Sequence, residues 1–283
     1  MKRNKIEKER LIALLNEFGS VGKVSSMLSI PYTTIYYWYK SYGIELLPSC
    51  MTIYEELRSV PLSNTHKSVI VGSVLGDGSL VKQRHSKNAR LQIGHCTKQL
   101  EYLKWKKELL NPFVNKITEG ELPGNKIIDG KESISTGYWL INTISHPDIN
   151  DYFNRYYVAG KKRVDINIID ELDWLATAIW MADDGSFSFR KKNNYSLRSS
   201  VATCSFTTEE LEILKIALGK FYKGSITIDT YNNTLRLGGG TKHIDNLLDQ
   251  ISDILPECIH YKLAPQRLHV KPHNVGEDIV RTS

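Results

Sequence analysis

Residues Ser68–Leu80 read SVIVGSVLGDGSL, an apolar run with two glycines, Gly72 and Gly76, one helical turn apart, that then meets an acid, Asp77. Apart from the glycines, the run has the character of a buried helix. Glycine in a helix interior costs roughly 1 kcal/mol relative to alanine, so the pair calls for a compensating contact. A second stretch, Leu172–Ser186 (LDWLATAIWMADDGS), has the same construction: small residues Ala178 and Ala182 one turn apart, then an acid followed by glycine. Loss of side-chain bulk at that spacing lets two helix backbones approach closely. Packed about a pseudo-twofold axis, the two helices bring Asp77 and Asp184 together, with Gly78 and Gly185 expected to end them.

Two carboxylates brought to one place repel each other unless a cation sits between them, and hard oxygen ligands of this kind suit Mg²⁺, with Mn²⁺ as a substitute. Such an ion can activate a water and stabilise the leaving oxygen of a phosphodiester. Aspartate near a helix C-terminus is disfavoured by the macrodipole. Its occurrence twice, a repeat length apart, sets the pair apart from two ordinary Asp-Gly turns.

The surrounding pattern also runs twice. After the first acidic helix the sequence predicts strands near Leu80–Arg84 and Arg90–Cys96 and a helix over Lys98–Leu110. Strands at Lys126–Ile128 and Ile134–Ser145 and a helix over Asp148–Tyr157 complete the first pass. After the second acidic helix come strands at Phe187–Arg190 and Tyr195–Phe206 and a helix over Thr208–Phe221. Strands at Ser225–Asp229 and Thr234–Leu237 and a helix over Lys242–Leu255 follow. The expected fold is α+β, a duplicated αββαββα unit with repeats at 67–170 and 171–275 and a tail at 276–283.

Residues 1–46 read as a separate all-α module. Glu7–Phe18 is amphipathic and stops at Gly19, Val21–Leu28 forms a second helix, and Ser29-Ile30-Pro31 breaks it. Tyr32–Gly43 then reads as a third helix exposing Thr33, Thr34, Tyr37 and Lys40 and burying Ile35 and Trp38. The order resembles a helix-turn-helix DNA reader; a three-helix protein-interaction domain is the alternative. Residues 47–66 read as a linker with a short helix around Tyr54–Val60.

The 283 residues, 41% of them hydrophobic, suffice for one large domain or two modest ones. No apolar run reaches the roughly 18 residues of a membrane span. The charged start, MKRNKIEKER, lacks the apolar core of a signal peptide. The expectation is an intracellular protein, cytoplasmic if encoded by a bacterium or phage and organellar otherwise. Cys50, Cys96, Cys204 and Cys258 stand too far apart for a zinc knuckle or a disulfide framework. His85, His95, His243 and His260 show no ligand spacing, and Pro272 separates His269 from His273. Net charge is +6. A cluster of lysines and arginines from Lys82 to Lys107, Lys106 among them, faces the single acid Glu101, an excess that a phosphate backbone would match.

Taken together, IVGSVLGDG (70–78) and TAIWMADDG (177–185) resemble the paired motifs of single-chain LAGLIDADG homing endonucleases, over residues 67 to about 270. The resemblance implies one metal-binding acid from each motif, Asp77 and Asp184, preceded by Gly76 and Asp183 as the neighbouring metal positions. The second motif departs from the pattern, with Ile179 at the first glycine position and Asp183 before the catalytic acid. The family commonly carries a lysine late in each repeat; the matching positions are Lys162, with Lys161 as its rival, and Lys262. Such a lysine stabilises charge on the phosphate or tunes the attacking water.

A strand face with Lys82, Arg84, Arg90, Gln92, Arg190, Arg198, Ser200 and Arg236 is expected to meet DNA, since Arg and Gln suit base edges in the major groove. The implied function is double-strand DNA cleavage by a monomer at a long pseudo-symmetric or asymmetric target, in homing of an intron or similar element. An RNA-binding intron maturase and a catalytically silent transcription regulator are the alternatives. With no splicing-domain sequence beside the repeats, a whole intein is not expected.

Overall fold

The computed structural model describes residues 5–46, 50–84, 86–120, 126–128, 131–133, 137–190 and 196–263, with the backbone alone at 50–53, 126–128, 131–133, 189–190 and 196–198. The tail 276–283, His85, His269 and His273, and the side chains of Cys50, Arg190 and Arg198 lie outside this description. The chain divides into two compact units, Met1–Ser59 and Val60–Ser283.

The first unit packs α1 (Lys8–Phe18), α2 (Val21–Leu28) and α3 (Tyr32–Ser41), followed by α4 (Cys50–Ser59). Ser20 caps α2 by accepting from Lys23 N–H, and Ser29, in the left-handed conformation, ends it. The core consists of Leu11, Leu14, Val21, Val24, Ile35 and Tyr39. Here the expectation for Trp38 fails, for it is only partly buried. Tyr39, one turn beyond Ile35 on the same helix face, takes the core position and satisfies its hydroxyl by donating to Leu11 O at 2.9 Å.

In the second unit, the first half runs α5 (Asn64–Leu75), β1 (Gly78–Val81), β2 (Arg90–Cys96), α6 (Leu100–Leu109), β3 (Val114–Glu119), β4 (Lys126–Ile128), β5 (Lys131–Ser133), β6 (Tyr138–Thr143) and α7 (Pro147–Tyr156). A hairpin, β7 (Tyr157–Val158) and β8 (Lys161–Lys162), and the short α8 (Ile168–Glu171) lead into the second half. That half runs α9 (Trp174–Asp184), β9 (Gly185–Arg190), β10 (Ser196–Ala202), α10 (Thr208–Leu218), β11 (Ile226–Asp229), β12 (Thr234–Leu237), α11 (Thr241–Ile254) and α12 (His260–Leu263).

Each half forms a four-stranded sheet. One has the order β1-β2-β6-β3 and the other, read from the equivalent edge, β9-β10-β12-β11. All pairs are antiparallel, and the registers match: Gly78 opposes Ile93 as Gly185 opposes Val201. The first half differs by the inserted hairpin β4-β5. β3 has no counterpart among the predicted strands, because VNKITE is mostly polar and lies at a sheet edge with much of its length exposed.

Helices α5 and α9 pack together between the halves, and the glycines find their reason there. A Cβ on Gly72 would stand 2.5 Å from Ala176 O, and one on Gly76 2.5 Å from Asp183 Cβ. Gly78 does not end α5, which ends earlier, with Gly76 as its cap, whereas Gly185 ends α9 as expected. Gly185 is extended, with φ −73° and ψ 142°, and both Gly78 and Gly185 begin strands. They are glycines because a Cβ would strike the preceding helix, Ser73 O at 2.8 Å and Met181 O at 2.2 Å respectively.

Candidate active site

The two helix ends carry the acids differently. Helix α5 stops at Leu75, so Asp77 lies two residues past it, whereas Asp184 is the last residue of α9. Burial raises the Asp77 carboxyl above its ordinary range and Asp183 adds to this, while Lys106, Lys262 and Lys162 pull it back. Asp184 is pushed up to about 7, first by burial and then by the charges of Asp77 and Asp183. The side chain of Asp77 keeps 40% of its surface exposed, so its oxygens face a ligand's approach.

A lysine folds back over each helix end. Lys162 Nζ donates to Gly76 O at 3.3 Å and Gly78 O at 3.4 Å. Lys262 Nζ donates to Ala182 O at 2.9 Å and Asp183 O at 3.2 Å. An ammonium at a helix C-terminus meets the negative end of the dipole and its unpaired carbonyls. Lys162 is set by the β7-β8 hairpin, whose two turn residues, Ala159 and Gly160, both have positive φ, 50° and 75°. That two-residue turn suits the strand twist and pairs Tyr157 with Lys162. Lys161, its neighbour and rival, points to solvent. Burial lowers the Lys162 ammonium, against the charges of Asp184, Asp77 and Asp183.

Asp183 does something else. Its carboxylate and the Lys106 ammonium are both 0% exposed and pair at 2.8 Å. The same carboxylate accepts from Tyr102 Oη at 3.1 Å and from the Asp77 backbone N–H at 3.3 Å. Lys106 Nζ also lies 3.2 Å from His95 Nε2. An ammonium donating there leaves the imidazole proton on Nδ1, which faces Asp77 Oδ2 at 3.6 Å. Burial, then Lys106, pushes His95 down to about 4, so the ring is neutral near pH 7. Lys106, expected among the phosphate-facing lysines, is therefore withdrawn from solvent: a fully desolvated ammonium needs a carboxylate partner, and Asp183 supplies it.

The donor chemistry fits a hard divalent cation at Asp77 and Asp184: two carboxylates whose proton affinity is raised by burial and repulsion, both conditions a cation relieves. The oxygens of Asp183 are already engaged by three donor groups. Asp77, His95 and Asp183 do offer ligand atoms within 4.8 Å of one another, but an ion among them would stand against the Lys106 ammonium.

On the sheets, Arg90 and Gln92 occupy the half-exposed face of β2, alternating with buried Leu91 and Ile93, and Gln92 pairs with Asn142. In the second sheet Ser200 pairs with Arg236. The Arg236 guanidinium is held by Asp229 at 2.5 Å, and Lys82 donates to Asn150 Oδ1 at 2.9 Å. Arg84 is exposed; in the first unit so are Thr33, Tyr37 and Lys40, with Thr34 half-buried. Sequence reasoning had no role for Tyr102 and His95, which complete the Asp183 cluster.

A family model described as the LAGLIDADG DNA endonuclease family matches residues 67–247. The protein RecA of Mycolicibacterium flavescens is 32% identical over 133 residues, 46% of this chain and 28% of that protein, so the match spans little more than a quarter of that relative's length. The DNA endonuclease I-ChuI of Chlamydomonas applanata is 26% identical over 217 residues, 72% of this chain and 96% of that one. Among solved structures, the homing endonuclease I-WcaI bound to its DNA recognition sequence superposes with a TM-score of 0.62 at 19% identity, covering 79% of this chain and 97% of that one. This is a likeness of fold.

Proposed function

The chain belongs to the LAGLIDADG DNA endonuclease family, and we propose that it is a site-specific homing endonuclease that hydrolyses one phosphodiester on each strand of duplex DNA with a divalent metal, preferably Mg²⁺. The observation that carries this reading is the pair of acids at the ends of the two packed helices, each end also holding a half-buried lysine. In this reading Asp77 and Asp184 would hold the divalent metal, each acid serving the scissile phosphate of one strand, with the Gly76 carbonyl beside them. A bound divalent ion lowers the pKa of its water and offsets charge on the leaving oxygen. Lys162 and Lys262, now on the backbone carbonyls beside the acids, would each turn an ammonium toward the phosphate and stabilise its developing charge.

The open sheet faces would lie along the major groove, with Arg90, Gln92, Arg198, Ser200 and Arg236 reading base edges and Lys82, Arg84 and Arg190 serving phosphates. Among the described residues, the buried Arg90 Nε and Asn142 Oδ1 of the first sheet have no hydrogen-bond partner. For the first unit we read a helix-turn-helix DNA reader, in which Thr33, Thr34, Tyr37 and Lys40 of α3 meet the groove. With both acids on one chain, a monomer is sufficient.

The test is selection of cleaved sites from a random duplex library with Mg²⁺. Recovery of one long site cut on both strands supports the reading. Absence of cut products at every protein concentration overturns it.

A further inference from the structure

The two halves of the site are unequal in one respect. The strand registers equate Ile93 with Val201 and hence His95 with Thr203. The burial pattern along the helices that follow continues the same offset and equates Lys106 with Leu214. The motifs equate Gly76 with Asp183. Where one half has a histidine, a lysine and, facing them from α9, an aspartate, the related positions hold threonine, leucine and glycine. The buried cluster therefore exists on one side of the pseudo-axis only, and it touches only one of the two acids. Asp183 accepts the Asp77 N–H, while Tyr102 and Lys106 hold the carboxylate that does so. Asp184 is held as a residue of α9, and its pseudo-symmetric neighbour, Gly76, has no side chain to offer.

We propose that Asp183 is a positioning residue for Asp77, the acid of the opposite motif, and that with Lys106, Tyr102 and His95 it makes the two strand scissions unequal in their dependence on this cluster. The inference rests on the endonuclease reading above. Asp77 stands beyond the end of its helix, where backbone conformation is not fixed by the helical ladder. A carboxylate fixed by a buried ammonium and a phenol, and accepting its N–H, replaces that constraint. Partners of this kind, one step removed from the reacting atoms, typically change activity by about 10- to 100-fold when lost. Asp183 thus serves the site without being a ligand, which is why an acid can stand next to Asp184 without competing for its ion.

The experiment is single-turnover cleavage of the duplex recovered from the random library, with each strand labelled separately, in Mg²⁺. Variants are Asp183→Asn and the charge-neutral pair Asp183→Asn with Lys106→Met; the second guards against misfolding caused by an unpaired buried lysine. Folding is checked by urea unfolding. The expected result is a change of about tenfold in the ratio of the two strands' cleavage rates, with nicked duplex accumulating. A folded variant that slows both strands equally, or leaves both unchanged, overturns the inference while leaving the endonuclease reading intact. Wild-type protein that cuts neither strand overturns the endonuclease reading, and this inference with it.

Discussion

Gly76 has little room for any side chain. A methyl there would meet Asp183 Cβ at 2.5 Å, inside a helix contact that has no slack. Gly76→Ala is expected to cost about 1–3 kcal/mol, as overpacking does, and a wild-type urea midpoint would show that the helices can part. Replacing Asp77 or Asp184 with Asn should remove double-strand cleavage and leave DNA affinity within a few fold, because the acids act on metal and the sheets supply contacts. Cleavage and gel-shift assays on one target separate the two effects. Proton linkage gives a third check. Asp184 binds its proton more tightly folded, near 7, than a free carboxyl at 3.8. Its contribution to stability is thus complete below the unfolded value and is lost as pH rises through about 7. His95, lowered from 6.5 to about 4, works the other way over the range between those values, so total stability is a poor gauge. The stabilisation added by Mg²⁺ isolates the acid: it should grow between about pH 5 and about pH 8, read as a thermal shift with and without the ion. An increment that shrinks with pH would place the ion elsewhere.

At the scale of elements, the hairpin β7-β8 sets the position of Lys162. Gly160→Val would force a β-branched residue to a φ of 75°. It is expected to slow cleavage by several-fold while DNA binding holds, and equal losses in rate and affinity would argue against a role for the hairpin in chemistry. Much of this level could be read from sequence. β2 and β12 fall on their predicted residues, and α10 begins at the Thr207 and Glu210 capping box that SFTTEE contains. β3 could not be read, since edge position rather than alternation makes it a strand. The glycines at the strand starts were legible as glycines but not in their purpose, which depends on how close the helix behind them runs. Asp183 and Lys106 left a signal that only aligned repeats reveal: an acid where the first motif has glycine, and a lysine where the second repeat has leucine. Charge appearing on both sides of a contact at once is the mark of a buried pair, and a basic cluster counted along the chain conceals it.

At the scale of the molecule, the division after Ser59 separates a small helical unit from the one that holds both acids. Removing residues 1–59 should leave a protein that folds and cuts, with weaker binding, a footprint shortened at one end and a shallower dependence of affinity on salt. Unchanged footprint and affinity would assign the first unit another task; failure to fold would reject the division. The packing of α5 on α9 has a consequence for the order of events in a living cell. When a ribosome has released the first half, Gly72 and Gly76 border a groove with nothing in it, and Lys106 has no counter-charge until the residues around Asp183 emerge. Folding as a unit is therefore deferred to late in synthesis. A nascent chain interrupted midway carries one of the two acids, one sheet and a lysine without its counter-charge. On the endonuclease reading, translation itself acts as a safety catch, completing the site only when the second half arrives.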